Sequence, residues 1–570
     1  MKRRKYLIFI ILTVLGITNG CDVLDPEDSN VYDLNDVKTR ATYAEGILIH
    51  AYRDLNTAHT NFTLAYASDD AVNNDPDSNV KDVVSGGWTS SLNPFNQWNT
   101  AYESIFYINS FLEEMNDIEW YAQDETSSAL FASKLRGEAF GLRAWNYFHL
   151  LQAHAGEGKN GEMLGVPIVD EVLTIDNAEA YQIPRSSFED LVDFILADCD
   201  RALALIPDRW VDTGDGSVDR ALGKRNTNRI NGITVRLIKA KTLLYAASPA
   251  YSTGTYTYQM AAQAAADIMN INNGLDNVAS GNVVFYNNPS LSDNADSDPE
   301  VLWYSNRMTN NTWEEDNYPP SLYGEGLTNP TQDLVNAFPL VDGTPTPASK
   351  INSSDPYSGR DPRLSKFILY NGSDLGRAGI TINTTAGSQD ALGSADINAT
   401  KTGYYLKKFM NTSDVNLDPR VDTEGLHYYT YARYTDVLLM FAEAANEAAG
   451  PDGNIGGYTA REVINAIRDR AGITVHDYVN GLDKSQMAEL IRNERRIEMC
   501  FENQRFWDLR RWQLTTKMKE AVSGVEVSSD GSTYNYLQVE PRNYSDYQIY
   551  GPIPYDETLK YNLIQNMGWQ

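Results

Sequence analysis

The sequence predicts a mainly α-helical fold: a tetratricopeptide-like helical-repeat scaffold, or α-solenoid, carrying a long irregular loop-rich insertion with short β-strands. Three observations carry this. Apolar residues recur at three-to-four spacing over several stretches of helix length. Small residues gather where such helices would cross, as in "AEAANEAA" and "KAKTLLYAAS". Residues 271–425 lose the helical period and turn rich in Asn, Asp, Ser, Gly, Thr and Pro. The repeat period is not clean, so spacing alone does not define a tetratricopeptide array. Stacked helix pairs give the solenoid.

Residues 1–20 stand apart from the fold. "MKRRK" is a basic leader, and "YLIFIILTVLGIT" is apolar but too short to span a bilayer, so together they read as a signal peptide. "TNGC" then sets a Gly–Cys step at the end of the apolar run, as in a bacterial lipoprotein cleavage box, with Asn19 where a small residue is usual. Cys21 is therefore expected to become the mature N-terminus and lipid anchor. Stable anchoring needs more than one acyl chain. Residues 21–35 begin "CDVLDPEDSN", acidic and turn-rich, as a flexible tether would be.

Residues 36–270 read as an N-terminal helical part. "DVKTRATYAEGILIHAYRDL" is amphipathic. "NPFNQWNTAYESIFYINSFLEEM" places Trp98, Tyr102, Ile105 and Leu112 on related turns. "ASKLRGEAFGLRAWNYFHLLQAHA" follows, then "PRSSFEDLVDFILADCDRALALIP", where Ser186 or Ser187 ahead of Glu189 and Asp190 is a capping signal and Pro207 a stop. "RINGITVRLIKAKTLLYAAS" and the alanine-rich "YQMAAQAAADIMN" complete this part. Within 271–425, "EVLWYSN", "RLSKFILY" and "YYLKKFM" are short β-like runs, and so long a loop region is usually functional. Residues 426–570 return to helices with "YARYTDVLLMFAEAANEAAG", "TAREVINAIRDRAG" and "NERRIEMCFENQRFWDLRRW", before a tyrosine-rich tail.

Charge narrows the partners. The formal net charge is −30, and loss of residues 1–20 leaves 43 basic against 77 acidic residues, a net −34. That is the wrong sign for holding a nucleic-acid backbone. It suits neutral or cationic ligands. Three cysteines cannot form a disulfide scaffold; Cys199 and Cys500 lie in apolar helical patterns and are expected to be small buried residues. The six histidines form no HExxH and no zinc spacing, and no phosphate loop, GxGxxG or GxSxG occurs, so neither metal, cofactor nor catalytic residue is expected. The acidic loops "NNDPDSN" and "SDNADSDPE" lack EF-hand spacing and read as solvated turns.

The stretch Asn493–Trp512 packs five arginines, three glutamates, one aspartate and four Trp or Phe rings into one helix length. Glu494, Glu498 and Glu502 fall at steps of four, with Arg505 continuing the stripe. A helix apolar nearly all round is buried, and buried arginines need carboxylate or carbonyl partners. The expected structure is an interior ion-pair lattice.

This stretch resembles the C-terminal signature of the SusD/RagB family of surface lipoproteins from Bacteroidetes-type bacteria. So do further blocks in the family's order: "QWNTAYESIFYINSFLEEM", "LRGEAFGLRAWNYFHLLQ", "GVPIVDE", "LIKAKTLLYAASPAY", "NAFPLVDGTP", "RDPRL", "VINAIRDRAGI" and "GPIPYDETLKYNLIQNMGW". Asn146 and Asn231 depart from the pattern, standing where an aromatic or alanine is commoner. The resemblance implies a tetratricopeptide-like scaffold on the extracellular face of the outer membrane, anchored through Cys21. It implies a non-catalytic protein that captures a glycan and acts as a lid on a SusC-like TonB-dependent transporter. A peptide- or glycopeptide-binding member, a surface glycoside hydrolase and a purely structural adaptor are the alternatives.

Sugars stack their C–H faces on aromatic rings while polar side chains bond the hydroxyls. The chain has 35 Tyr and 10 Trp against 17 Phe, a composition that fits. Helix-embedded Trp98, Trp145, Trp507 and Trp512 are expected in the core. The ligand contacts are expected on loops: Asp69, Asp70 and Asn73 of "AYASDDAVNN", Trp88 of "SGGWTSS", and Trp313, Tyr318 and Tyr323 of "NTWEEDNYPPSLYGEG".

Overall fold

The computed structural model describes residues 39–53, 55, 62–114, 118–173, 181–278, 298–346, 354–377 and 379–570. The leader, Cys21, the tether and most of the "SDNADSDPE" loop lie outside the described residues. Ten helices form the frame: α1 (Ala41–Arg53), α2 (Trp98–Glu114), α3 (Glu125–His154), α4 (Phe188–Leu203), α5 (Gly232–Ala247), α6 (Tyr258–Ile271), α7 (Tyr434–Ala449), α8 (Ala460–Ala471), α9 (Lys484–Glu498) and α10 (Arg505–Arg511). Among the described residues no helix is long and apolar enough to cross a membrane.

Each helix from α1 to α8 packs on the next in chain order, the arrangement of a solenoid. The α6–α7 contact belongs to the same series although residues 272–433 lie between these two helices. The irregular region is therefore inserted between two consecutive turns of a continuous helical stack. Its strands are short and form two-stranded antiparallel pairs, such as Val301–Tyr304 with Thr430–Arg433, so no extended sheet develops.

Local sequence explains the helix starts. Ser187 caps α4 by accepting from Asp190 N, resolving the choice between the two serines. Capping boxes open α8 (Thr459 with Glu462) and α9 (Asp483 with Gln486). Asn231 caps α5 through Thr234 N at 2.9 Å and donates its amide to Leu302 O at 3.0 Å, tying the helix start to an insertion strand. That is a physical reason for one of the two unusual asparagines. Trp98, Trp507 and Trp512 are buried, and Trp145 is partly buried. Cys199 and Cys500 are fully buried; burial pushes the Cys500 thiol up to about 12 and the Cys199 thiol up as well, so both stay protonated.

The arginine-rich stretch departs from the single helix expected. α9 stops at Glu498, Phe501 and Asn503 adopt left-handed φ of 63° and 58°, and α10 starts afresh at Arg505. The cause is polar. Lys408 Nζ donates to the Glu498 and Cys500 carbonyls at 2.7 and 3.0 Å, and Arg433 donates to Glu498 O at 2.8 Å. Side chains from the insertion thus satisfy the carbonyls that a continuing helix would have used.

Candidate functional site

The interior lattice is present and holds the insertion to the scaffold. Glu494 pairs with Arg363, Glu498 with Arg363, Arg433 and Arg470, and Glu502 with Lys408 and Arg433. Arg495 bridges Asp436 and Asp508, and Arg511 joins Asp508 to Glu443. Acids and bases are matched and buried, which is how ion pairs survive away from water.

Asp69 and Asp70 belong to this lattice. Arg505 takes Asp69 at 2.8 Å, and Arg496 takes Asp70 at 2.7 Å and Asp69 at 3.1 Å. The two carboxylates are 6% and 0% exposed, so they face arginine rather than solvent. Despite a desolvation cost that is its largest single influence, Asp69 is held below the usual carboxylate range by Arg496 and Arg505. Asp70 moves up, chiefly through burial and also through Asp69 beside it.

Trp88 is 2% exposed despite its flanking glycines. It packs against Trp569 at 4.9 Å and Phe95 at 5.5 Å, lies under the Arg510 guanidinium at 5.6 Å, and donates Nε1–H to Asn93 at 3.1 Å. Trp313 and Tyr318 are also buried. Trp313 lies against Phe62 and against His427, itself 3.2 Å from Glu314. Asn73 is buried and receives Asp75 N at 2.8 Å, shaping the turn that follows. None of these six offers a free face, because their loops are folded into the body.

Tyr323 is the exception, at 56% exposure. It follows the short 3₁₀ turn Pro320–Leu322 with a left-handed φ of 67°, rare for a bulky residue and maintained only where the surroundings enforce it. The enforcement is visible. Ser321 donates to Asp390 from N at 2.9 Å and from Oγ at 2.6 Å, Glu325 N donates to Glu315 O at 2.7 Å, and Gly326 N to Tyr318 O at 3.0 Å. A Cβ on Gly324 would come within 2.2 Å of the Tyr318 carbonyl.

Long-range pairing assembles the surroundings. Ala71–Asn73 pairs antiparallel with Thr328–Pro330, and Asn74 joins both Leu327 O at 2.9 Å and Ile397 O at 3.1 Å. The loop carrying Asp69, Asp70 and Asn73 and the segment carrying Trp313, Tyr318 and Tyr323, separate in sequence, therefore meet at one rim. With them are exposed Ile397 and Arg420, which reaches the Tyr323 hydroxyl and Asp418. The Trp88 loop packs elsewhere, on Trp569. Burial, then Glu325 and Glu315, push the half-buried Asp316 carboxyl up to about 6. Asp316, Ile397 and Arg420 escaped the sequence reading; the only signal for them was their place in the irregular region. Among the described residues, no group of three or more His, Cys, Asp or Glu could hold a metal ion.

Scaffold and insertion together define a class: a tetratricopeptide-like solenoid that holds an inserted loop region against its C-terminal helices. The SusD family model matches residues 283–569, and a second model, described as starch-binding associating with outer membrane, matches residues 22–215. The chain belongs to the SusD family. It is 24% identical over 544 residues to SusD-like protein P38 of Formosa agariphila, covering 92% of this chain and 95% of the relative. Among solved structures, a SusD-like protein of Bacteroides fragilis superposes with TM-score 0.73 at 23% identity, over 95% of this chain and 100% of that one. A SusD-like carbohydrate binding protein, also of B. fragilis, gives 0.68 at 22% identity, over 92% and 99%. These two likenesses show the fold.

Proposed function

We propose that this protein captures a glycan at the cell surface and delivers it to a SusC-like TonB-dependent transporter, without itself cleaving it. In this reading Cys21 anchors it to the extracellular face of the outer membrane. Family membership and a carbohydrate-binding relative of the same fold support the ligand class. The observation that carries the site is Tyr323: an exposed ring on a left-handed turn, braced from below and bordered by polar side chains able to bond sugar hydroxyls. Asp69, Asp70, Asn73, Trp313 and Tyr318 enter this reading as the support of that rim, and Trp88 as core packing away from it.

The test is affinity electrophoresis and calorimetry against neutral and acidic glycans and peptides. Loss of one stacked ring is worth about 1–1.5 kcal/mol, so Tyr323→Ala should weaken glycan binding roughly tenfold while leaving the melting temperature unchanged. Unchanged affinity removes Tyr323 from the site. Binding to peptides alone favours a peptide-binding member, and release of reducing ends would establish a hydrolase instead. Co-purification with the transporter barrel tests the partner.

A further inference from the structure

Away from the Tyr323 rim, the first turns of α2 face the tail helix Tyr555–Lys560 across a groove of about 490 Å³. Trp98, Tyr102, Phe106, Tyr181 and Tyr561 line it. The three tyrosine hydroxyls are tethered to backbone carbonyls: Tyr102 to Pro167 at 2.7 Å, Tyr181 to Leu173 and Tyr561 to Ile183, both at 3.0 Å. Their rings are thereby fixed before any ligand arrives, so little ordering cost remains. Phe106 and Tyr181 are 49% and 45% exposed, so both present ring surface to a ligand.

A second hollow of about 310 Å³ shares Asn99, Glu557 and Lys560 with the first and continues past Asn96 and Asp556. The two make one trough, aromatic at one end and lined by amides and carboxylates at the other. Lys560 is neutralised by Glu557 at 2.8 Å, and Asp556 and Glu171 add negative charge to the walls. Such a lining disfavours anions and suits neutral hydroxyl-bearing units.

We infer that this trough is a second saccharide site, taking an extended run of neutral sugar units. The ligand class rests on the carbohydrate-binding reading above; the location rests on the trough alone. Fixed rings along a concave bed offer faces on which pyranose rings can stack, and Asn99 and Glu557, at the junction of the two hollows, offer donors and acceptors to ring hydroxyls.

The test uses the full chain and three probes, maltohexaose, cellohexaose and laminarihexaose, with stoichiometry read by native mass spectrometry and affinity by calorimetry. With two sites, the wild type binds two copies of its preferred probe. Phe106→Ala/Tyr181→Ala should lose one copy, or bind it roughly tenfold more weakly, and melt with the wild type. Tyr323→Ala should lose only the other copy. If the double variant binds like the wild type while Tyr323→Ala abolishes binding, the second site is refuted and the first stands. If the double variant abolishes binding and Tyr323→Ala changes nothing, the trough stands and the Tyr323 site fails. No binding of any probe by the wild type overturns both. Unaltered saccharide binding by the double variant with lost co-purification of the transporter overturns the inference and makes the trough a protein-docking surface.

Discussion

His154 shows how one buried side chain couples this fold to pH. It is fully buried at the end of α3, where Nδ1 lies 2.7 Å from Pro552 O and Nε2 receives Gln97 N at 3.2 Å. Both ring nitrogens are thus used by the neutral tautomer, and Trp98 packs edge-on at 5.5 Å. Burial first, and then Arg185 and Arg510, push its pKa down to about 4, although the Pro552 carbonyl pulls the other way. The unfolded chain takes up this proton near 6.5, the folded chain only near 4. Its contribution to stability is therefore complete above about 6.5 and falls as pH drops toward 4, at about 1.4 kcal/mol per pH unit. Between pH 7 and pH 5 the wild type should lose about 2 kcal/mol more than His154→Gln, as read by denaturant titration at the two pH values. Equal losses would show that another group carries the pH dependence.

At the scale of the element, the break between α9 and α10 shows what sequence can and cannot disclose. The even spacing of Glu494, Glu498 and Glu502 is helical, and all three carboxylates do meet buried cations. The demand for partners was legible because charge and apolar surface coincide. Their identity was not, since Arg363, Lys408 and Arg433 come from segments far away in the chain. Lys408 is the sharpest case: it is 1% exposed, sits over Phe367 at 4.6 Å, and spends its three protons on two carbonyls and Glu502. The same blindness hid the burial of a loop aromatic. Glycine-flanked Trp88 looks exposed in sequence, but its cover, Trp569, comes from the chain's far end. Tyr323 was legible because its proline–proline and glycine neighbours describe a turn that cannot bury its tip. Lys408→Met keeps the volume but leaves Glu502 and the Glu498 carbonyl to Arg433 alone and strips the buried Cys500 carbonyl of its Lys408 donor, and should cost about 3–5 kcal/mol. Urea unfolding measures this; a loss below about 1 kcal/mol would mean that water replaces the ammonium at no cost.

Across the whole molecule, buried ion pairs join the solenoid to its insertion, and Glu498 is central among them. It accepts from Arg363 and Arg433 of the insertion and from Arg470 of α8, each within 3.4 Å, and is 1% exposed. These cations hold its carboxyl far below its ordinary range even against burial. The insertion separates α6 from α7, so the two helices find each other only if it folds back on itself. Scaffold and insertion should therefore unfold together, and calorimetry of the wild type should show one transition. Glu498→Gln removes the charge and leaves the cations short of a partner, a loss of about 3–5 kcal/mol concentrated at the junction. The insertion should then melt ahead of the helices, splitting the calorimetric peak and exposing residues 298–433 to protease first. A variant that still melts in one transition, near the wild-type temperature, would show that apolar contacts of the α6–α7 pair, rather than the buried ion pairs, make the molecule cooperative.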